Sequence, residues 1–214
     1  MSAFRLAVLV SGSGTNLQAL IDAQQAGDLH AEIALVLSDR ADAYGLQRAL
    51  EREIPAAFVP LPRPPGRAAA RAARAAWEQR LLAVIRPFTP DLIVLAGFMR
   101  VLSADFLAGA PAPVINQHPA LLPESGDTVT TSGGLVIPAL RGLHVVGEAL
   151  RQGLPVTGCT IHRVTPAVDD GPVLARAEVP VLPDDDEASL HERIKAAERR
   201  LIVEVVRQLA AEQP

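Results

Sequence analysis

An uninterrupted apolar run, Leu6 to Val10, passes directly into Ser11-Gly12-Ser13-Gly14-Thr15-Asn16, after which Leu17, Leu20 and Ile21 recur at helical spacing. A strand without polar alternation offers no face to water, so it belongs inside a sheet covered on both sides. Parallel sheets are built that way, and their strands are joined by helices. The rest of the first half repeats the alternation. Strands are expected at Ile33 to Leu37, Ala57 to Pro60, Leu92 to Leu95 and Val114 to Asn116, and helices at Ala43 to Arg52 and Arg67 to Ile85. The expected fold class is therefore α/β: a mostly parallel, twisted, Rossmann-like sheet with helices on both faces. Only 3% of the 214 residues are aromatic while 49% are hydrophobic, so Ala, Val, Leu and Ile must fill the core.

The second half reads differently. Residues 124 to 137 show no helical period and carry three glycines, which suggests a long loop with a small hairpin. His144 to Arg151 looks helical. Val156 to Val164 and Val173 to Val181 look like an antiparallel strand pair, joined by a turn at Asp169-Asp170-Gly171-Pro172. A last helix is expected from about Glu187 to Ala211, with Leu190, Ile194, Ala197, Leu201, Val205 and Leu209 as its apolar stripe and Asp184 to Asp186 capping its start. One continuous domain is expected, divided near residue 100 into two halves. A net charge of -4 gives no basic footprint for nucleic acid. The single Cys159 cannot form an internal disulfide and reads as a small buried residue. No clustered Cys/His set suggests a metal, no apolar run nears membrane-spanning length, and no cleavable leader precedes the first strand. These features point to a soluble cytoplasmic protein, monomeric or homodimeric, that acts on small molecules.

Five places carry possible chemistry. Glycines in the turn after the first strand let the backbone approach a ligand, and free N–H groups at the helix start can cradle phosphate. A dinucleotide fingerprint would need a third glycine where Leu17 stands, although Asp39 is placed like a ribose-binding acid. The plainer alternative is a tight turn capped by Ser13 or Thr15. In Asn116-Gln117-His118-Pro119, the amide and imidazole lie two residues apart in an extended segment, so they point the same way. Such a pair can stabilise an oxyanion and relay a proton, although it is commonly just a satisfied hydrogen-bond pair. Asp169 belongs to an ordinary turn unless its carboxylate reaches His118. Glu198 falls at the edge of the final helix's stripe, where spacing favours a solvated rim. Arg67, Arg71 and Arg74 share one helix face, normally a solvated one, though an arginine can hold a substrate carboxylate.

Together these pieces resemble the phosphoribosylglycinamide formyltransferase family of purine synthesis. The likeness rests on Val8 to Leu20, Ser38 to Leu46, Pro90 to Leu102, Asn116 to Pro119 with Leu121-Leu122-Pro123, Gly142-Leu143-His144 with Ala149-Leu150, and Val156 to His162 running on to Asp169-Asp170-Gly171-Pro172. The resemblance implies formyl transfer from 10-formyltetrahydrofolate to the amine of glycinamide ribonucleotide, without a metal. It makes Asn116, His118 and Asp169 the catalytic trio. It assigns Gly14, Thr15 and Asn16 to the nucleotide phosphate and Glu198 to the acceptor. It places Arg74, Met99, Arg100, Val101 and Leu102, together with Asn116, on the folate side. Residues 1–100 thus become a phosphate-binding half, and 101–214 a folate-binding and catalytic half. One departure stands out: Glu124 to Arg141 make this stretch roughly fifteen residues longer than the family's usual connection. A lid, a subunit contact or an order-disorder element would each suit that position.

Related activities differ in what accompanies this domain. Methionyl-tRNA formyltransferases add a tRNA-binding domain, and formyltetrahydrofolate deformylases a leading regulatory domain; this length and charge point to neither. A deformylase-like hydrolase, a nicotinamide dehydrogenase and a non-catalytic nucleotide-binding module are the alternatives.

Overall fold

A computed structural model describes residues 3–212. Nine strands and six α-helices follow in the order β1 (Phe4–Val10), α1 (Thr15–Ala26), β2 (Ala31–Ser38), α2 (Tyr44–Leu50), β3 (Ala56–Phe58), α3 (Arg67–Ile85), β4 (Leu92–Leu95), α4 (Ala104–Gly109), β5 (Val114–His118), β6 (Thr128–Thr130), β7 (Val136–Pro138), α5 (Val145–Arg151), β8 (Val156–Arg163), β9 (Val173–Pro180) and α6 (Glu187–Ala211). Seven strands form one sheet in the order β3-β2-β1-β4-β5-β8-β9, drawing on both halves of the chain. β1 to β5 run parallel, β8 pairs antiparallel with β5, and β9 antiparallel with β8. β6 and β7 form a separate hairpin, so the long segment after Pro123 is folded rather than a bare loop.

The continuous apolar strands split their side chains between two cores, as a two-residue period requires. From β1, Leu6, Val8 and Val10 pack with α1 and α6, while Ala7 and Leu9 face Trp77, Leu81, Leu82 and Ile85 of α3. Trp77 is the bulkiest buried group. Its indole N–H donates to the Val59 carbonyl at 2.8 Å, and its ring stacks on Phe98 with centroids 6.3 Å apart. A partner for that N–H is what lets an indole sit in an apolar core at no polar penalty.

Helix ends follow their local chemistry. Asp186 caps α6 by accepting from the Ser189 N–H at 2.7 Å, and the Ser189 hydroxyl answers the Asp186 N–H. Such a cap is worth about 1 kcal/mol. Gly27 ends α1 in the left-handed conformation. Ser103 caps the short α4 on the Phe106 N–H. That helix was not anticipated from sequence, because six residues are too few to show a period.

Candidate active site

Parallel sheets place ligand-binding loops at the carboxyl ends of their strands, where neighbouring connections diverge. Here the loops after β1 and β4 part at such a point, tied by the Ser11 N–H on the Gly97 carbonyl at 3.1 Å. The β1–α1 turn is drawn tight by two glycines in contact. Gly14 has φ +67°, and a Cβ there would lie 2.6 Å from the Gly45 Cα. Gly45 in turn donates its N–H to the Gly12 carbonyl at 3.0 Å. Capping by Ser13 or Thr15 does not occur: Gly14 is the cap residue, and no side chain bonds to the exposed amides. The first N–H groups of α1 therefore remain available to an anion.

Asp39 is not available as a ribose acceptor. Its carboxylate takes the Ser11 hydroxyl at 2.6 Å and the Arg100 Nε–H at 2.6 Å, and the Ser11 oxygen accepts the Met99 N–H at 2.9 Å. This cluster ties the glycine turn to residues 99–102. Met99 and Val101 are exposed, whereas the Leu102 side chain lies in the α3 core. Any contact at Leu102 would run through its main chain. Arg74 donates to the Val101 carbonyl and pairs with Glu78 at 3.4 Å, so it stands beside this segment. Arg67 and Arg71, on the same helix, are exposed.

Two strands away from β1, β5 ends in Asn116 and His118, on one face as their spacing requires. Two inter-strand spacings are roughly 10 Å, the span of a small ligand. His118 is 3% exposed. Its Nδ1 lies 3.4 Å from Asp169 Oδ2, and its Nε2 lies 2.7 Å from the Leu140 carbonyl. Asp169 arrives from the β8–β9 connection with φ +50°, a conformation that residues bearing a Cβ rarely adopt. Gly171 is obligatory beside it, because a Cβ there would fall 1.8 Å from the Arg163 carbonyl oxygen.

Sequence reasoning gives His162 no role, and the structure brings it to the site. It pairs across from Asn116 in the β5–β8 ladder. Asn116 Nδ2 stands 3.3 Å from His162 Nε2, and His162 Nδ1 stands 2.9 Å from the Arg163 carbonyl. Burial pushes the His162 pKa down. A neutral ring donating from Nδ1 leaves Nε2 as the acceptor for the Asn116 amide, fixing that amide's orientation. The available signal was a histidine closing the uncharged run Val156 to Ile161.

Glu198 corrects the expectation of a solvated rim. It is 5% exposed, because α6 packs between α1 and the β8–β9 pair and buries a second row, Glu198, Ile202 and Val206, beside the first. Asn16 Nδ2 reaches its carboxylate at 3.5 Å, while Asn16 Oδ1 has no partner. Burial raises the Glu198 pKa to about 7. A buried carboxyl with one long hydrogen bond beside an orphaned amide oxygen is an under-satisfied polar pair, suited to a polar ligand.

Comparison with known proteins shows the family. The sequence profile of the family described as formyl transferase matches residues 4–206. The phosphoribosylglycinamide formyltransferase of Mycobacterium tuberculosis is 41% identical over 206 residues, covering 96% of this chain and 85% of its own length. Among solved structures, glycinamide ribonucleotide transformylase 1 from Symbiobacterium toebii superposes with a TM-score of 0.81 at 39% identity, covering 98% of this chain and 88% of that one. The phosphoribosylglycinamide formyltransferase of Brucella melitensis does so with a TM-score of 0.82 at 36% identity, covering 100% and 98%. A glycine turn at the switch point, an Asn-His pair closing β5 and a carboxylate returning from the β8–β9 turn thus come together in a chain that belongs to the formyl transferase family.

Proposed function

We propose that this protein transfers the formyl group of 10-formyltetrahydrofolate to the amine of glycinamide ribonucleotide, a step of purine synthesis. The observation that carries the reading is the approach of Asp169 to His118, 3.4 Å apart at the end of β5, with Asn116 on the same face of that strand. In this reading the amides of Gly14, Thr15 and Asn16 hold the acceptor's phosphate, and Glu198 with the Asn16 amide grips its polar body. Arg74 and residues Met99 to Leu102 line the folate side, together with Asn116.

The amine nitrogen attacks the formyl carbon, and the carbonyl electrons pass to oxygen. Asn116, its amide fixed by His162, donates a hydrogen bond to that oxyanion, and His118 joins it once the oxyanion takes the place that the Leu140 carbonyl holds at Nε2. Asp169, 3.4 Å from Nδ1, holds the His118 imidazole in place. As the tetrahedral intermediate collapses, the bond to the folate nitrogen breaks, and that nitrogen receives the proton lost by the amine. A water ordered by Asp169 is the proposed carrier. Nothing in this sequence of steps calls for a metal.

The test is to incubate the protein with 10-formyltetrahydrofolate, with and without glycinamide ribonucleotide. Tetrahydrofolate released only with the acceptor supports the transferase; release without it identifies a hydrolase. One oxyanion donor is worth roughly 10²-fold or more in turnover, so His118→Ala should lose at least about that much while folate binding changes little. Unchanged turnover in that variant would refute the assignment.

A further inference from the structure

The segment between Pro123 and Gly142, which lengthens the connection after β5, ends against the loop that carries Asp169. Arg141, its last residue, is only a quarter exposed and spends its guanidinium on both sides of a gap. Toward the hairpin it donates to the Gly126 carbonyl at 2.7 Å and to Asp127 Oδ1 at 3.2 Å. Toward the β8–β9 connection it donates to the Asp169 carbonyl at 3.2 Å and to Asp170 Oδ1 at 3.4 Å. The next residue, Gly142, donates its N–H to Asp169 Oδ2 at 2.8 Å.

Apart from the Asp169 carboxylate's contacts with His118 at 3.4 Å and His162 at 3.7 Å, the Asp169 loop has little else to hold it. Among the described residues, the hydrogen bonds that reach residues 165–170 from outside the loop come from Arg141 and Gly142. Yet Asp169 sits at φ +50°, an unfavourable conformation that persists only where surrounding contacts enforce it. The hairpin that anchors the other end of Arg141 is itself fastened. Val129 and Ile137 pack on Leu121, and Ser132 donates its N–H and hydroxyl to Glu178 of β9 at 2.6 and 2.9 Å.

We infer that the added hairpin is a brace, and that Arg141 is a positioning residue fixing the Asp169 carboxylate beside His118. This rests on the formyl-transfer reading, because it assumes that Asp169 serves the reaction. Arg141 touches neither the glycine turn nor residues 99–102. Its removal should therefore act on turnover and leave both binding sites alone.

The experiment is steady-state kinetics on the full chain and two variants, with turnover expressed per folded site. Arg141→Ala should lower kcat roughly tenfold, the scale expected when a catalytic group is slightly misplaced, with both KM values within roughly twofold of the unsubstituted protein. Arg141→Lys keeps the charge but supplies a point donor that cannot span four acceptors, so it should recover part of the loss and settle roughly threefold down. Equal kcat per folded site in Arg141→Ala overturns the brace, as does a loss confined to KM. If the alanine variant does not fold, the lysine variant decides, and unaltered kcat there overturns it. Absence of formyl transfer by the unsubstituted protein would instead sink the functional reading.

Discussion

Glu198→Gln isolates the cost of keeping a carboxylate dry. In the folded chain, burial raises this group's pKa from 4.5 to about 7, opposed only weakly by the charges of Lys195 and Arg199. Each tenfold change in proton affinity corresponds to about 1.4 kcal/mol, so the displacement amounts to about 3 kcal/mol. The sign follows from which state holds the proton longer. Below pH 4.5 the carboxyl is protonated in folded and unfolded chains alike, and its stabilising contribution is complete. Between 4.5 and about 7 the unfolded chain ionises first, so stability falls as pH rises. Above about 7 both states are ionised and the penalty is fully expressed. Glutamine keeps the shape without the charge. Denaturant unfolding of both proteins at pH 4.5 and pH 8 should give near-equal stabilities at the lower value and an advantage of about 3 kcal/mol to the variant at the higher. The variant should also bind the acceptor roughly tenfold or more weakly, since it gives up a charge-assisted hydrogen bond. Parallel stability curves across this pH range would show that the carboxylate is solvated and the reasoning mistaken.

Two further outcomes follow from the packing. Gly14→Ala forces a Cβ to within 2.6 Å of the Gly45 backbone at φ +67°, so the melting temperature should fall by roughly 5 °C and the KM for the acceptor should rise; a variant melting with the parent would contradict the close approach. Cys159 is fully buried, and burial pushes its thiol pKa up to about 12, so an aromatic disulfide reagent at pH 8 should label no thiol in the native protein and one after unfolding.

The alternation of buried strands and helices was legible because each segment carried its own period. α3 and α6 appear where Ala-rich and striped runs stand, and β6 and β7 where a glycine-flanked hairpin was expected. Side-chain chemistry was less legible, because it is set by partners distant along the chain. Glu198 looked like a rim residue while only one stripe was counted; Ile202 and Val206, at its i+4 and i+8 positions, were the sign of a second buried row. The resemblance supplied Asn116, His118 and Asp169, whereas spacing alone left their meeting open. The structure sets His118 and Asp169 3.4 Å apart. His162 closes one of the stretches that carry the resemblance, yet nothing in that stretch gives it a role, and Arg141 belongs to no motif. One owes its place to strand register and the other to the route of the chain through the β6–β7 hairpin.

The contact between Asn16 and Glu198 joins residues 182 positions apart, from the first helix and the last. During synthesis the glycine turn, the Asn-His pair and the returning carboxylate are all made before that helix emerges, yet the pocket for the acceptor is still missing a wall. Closing so long a loop carries an entropic cost that only the docking of the whole helix repays. With Glu198 assigned to the acceptor as proposed, competence for the second substrate arrives in a single late event, and its appearance would time the completion of folding more directly than any change in helix content.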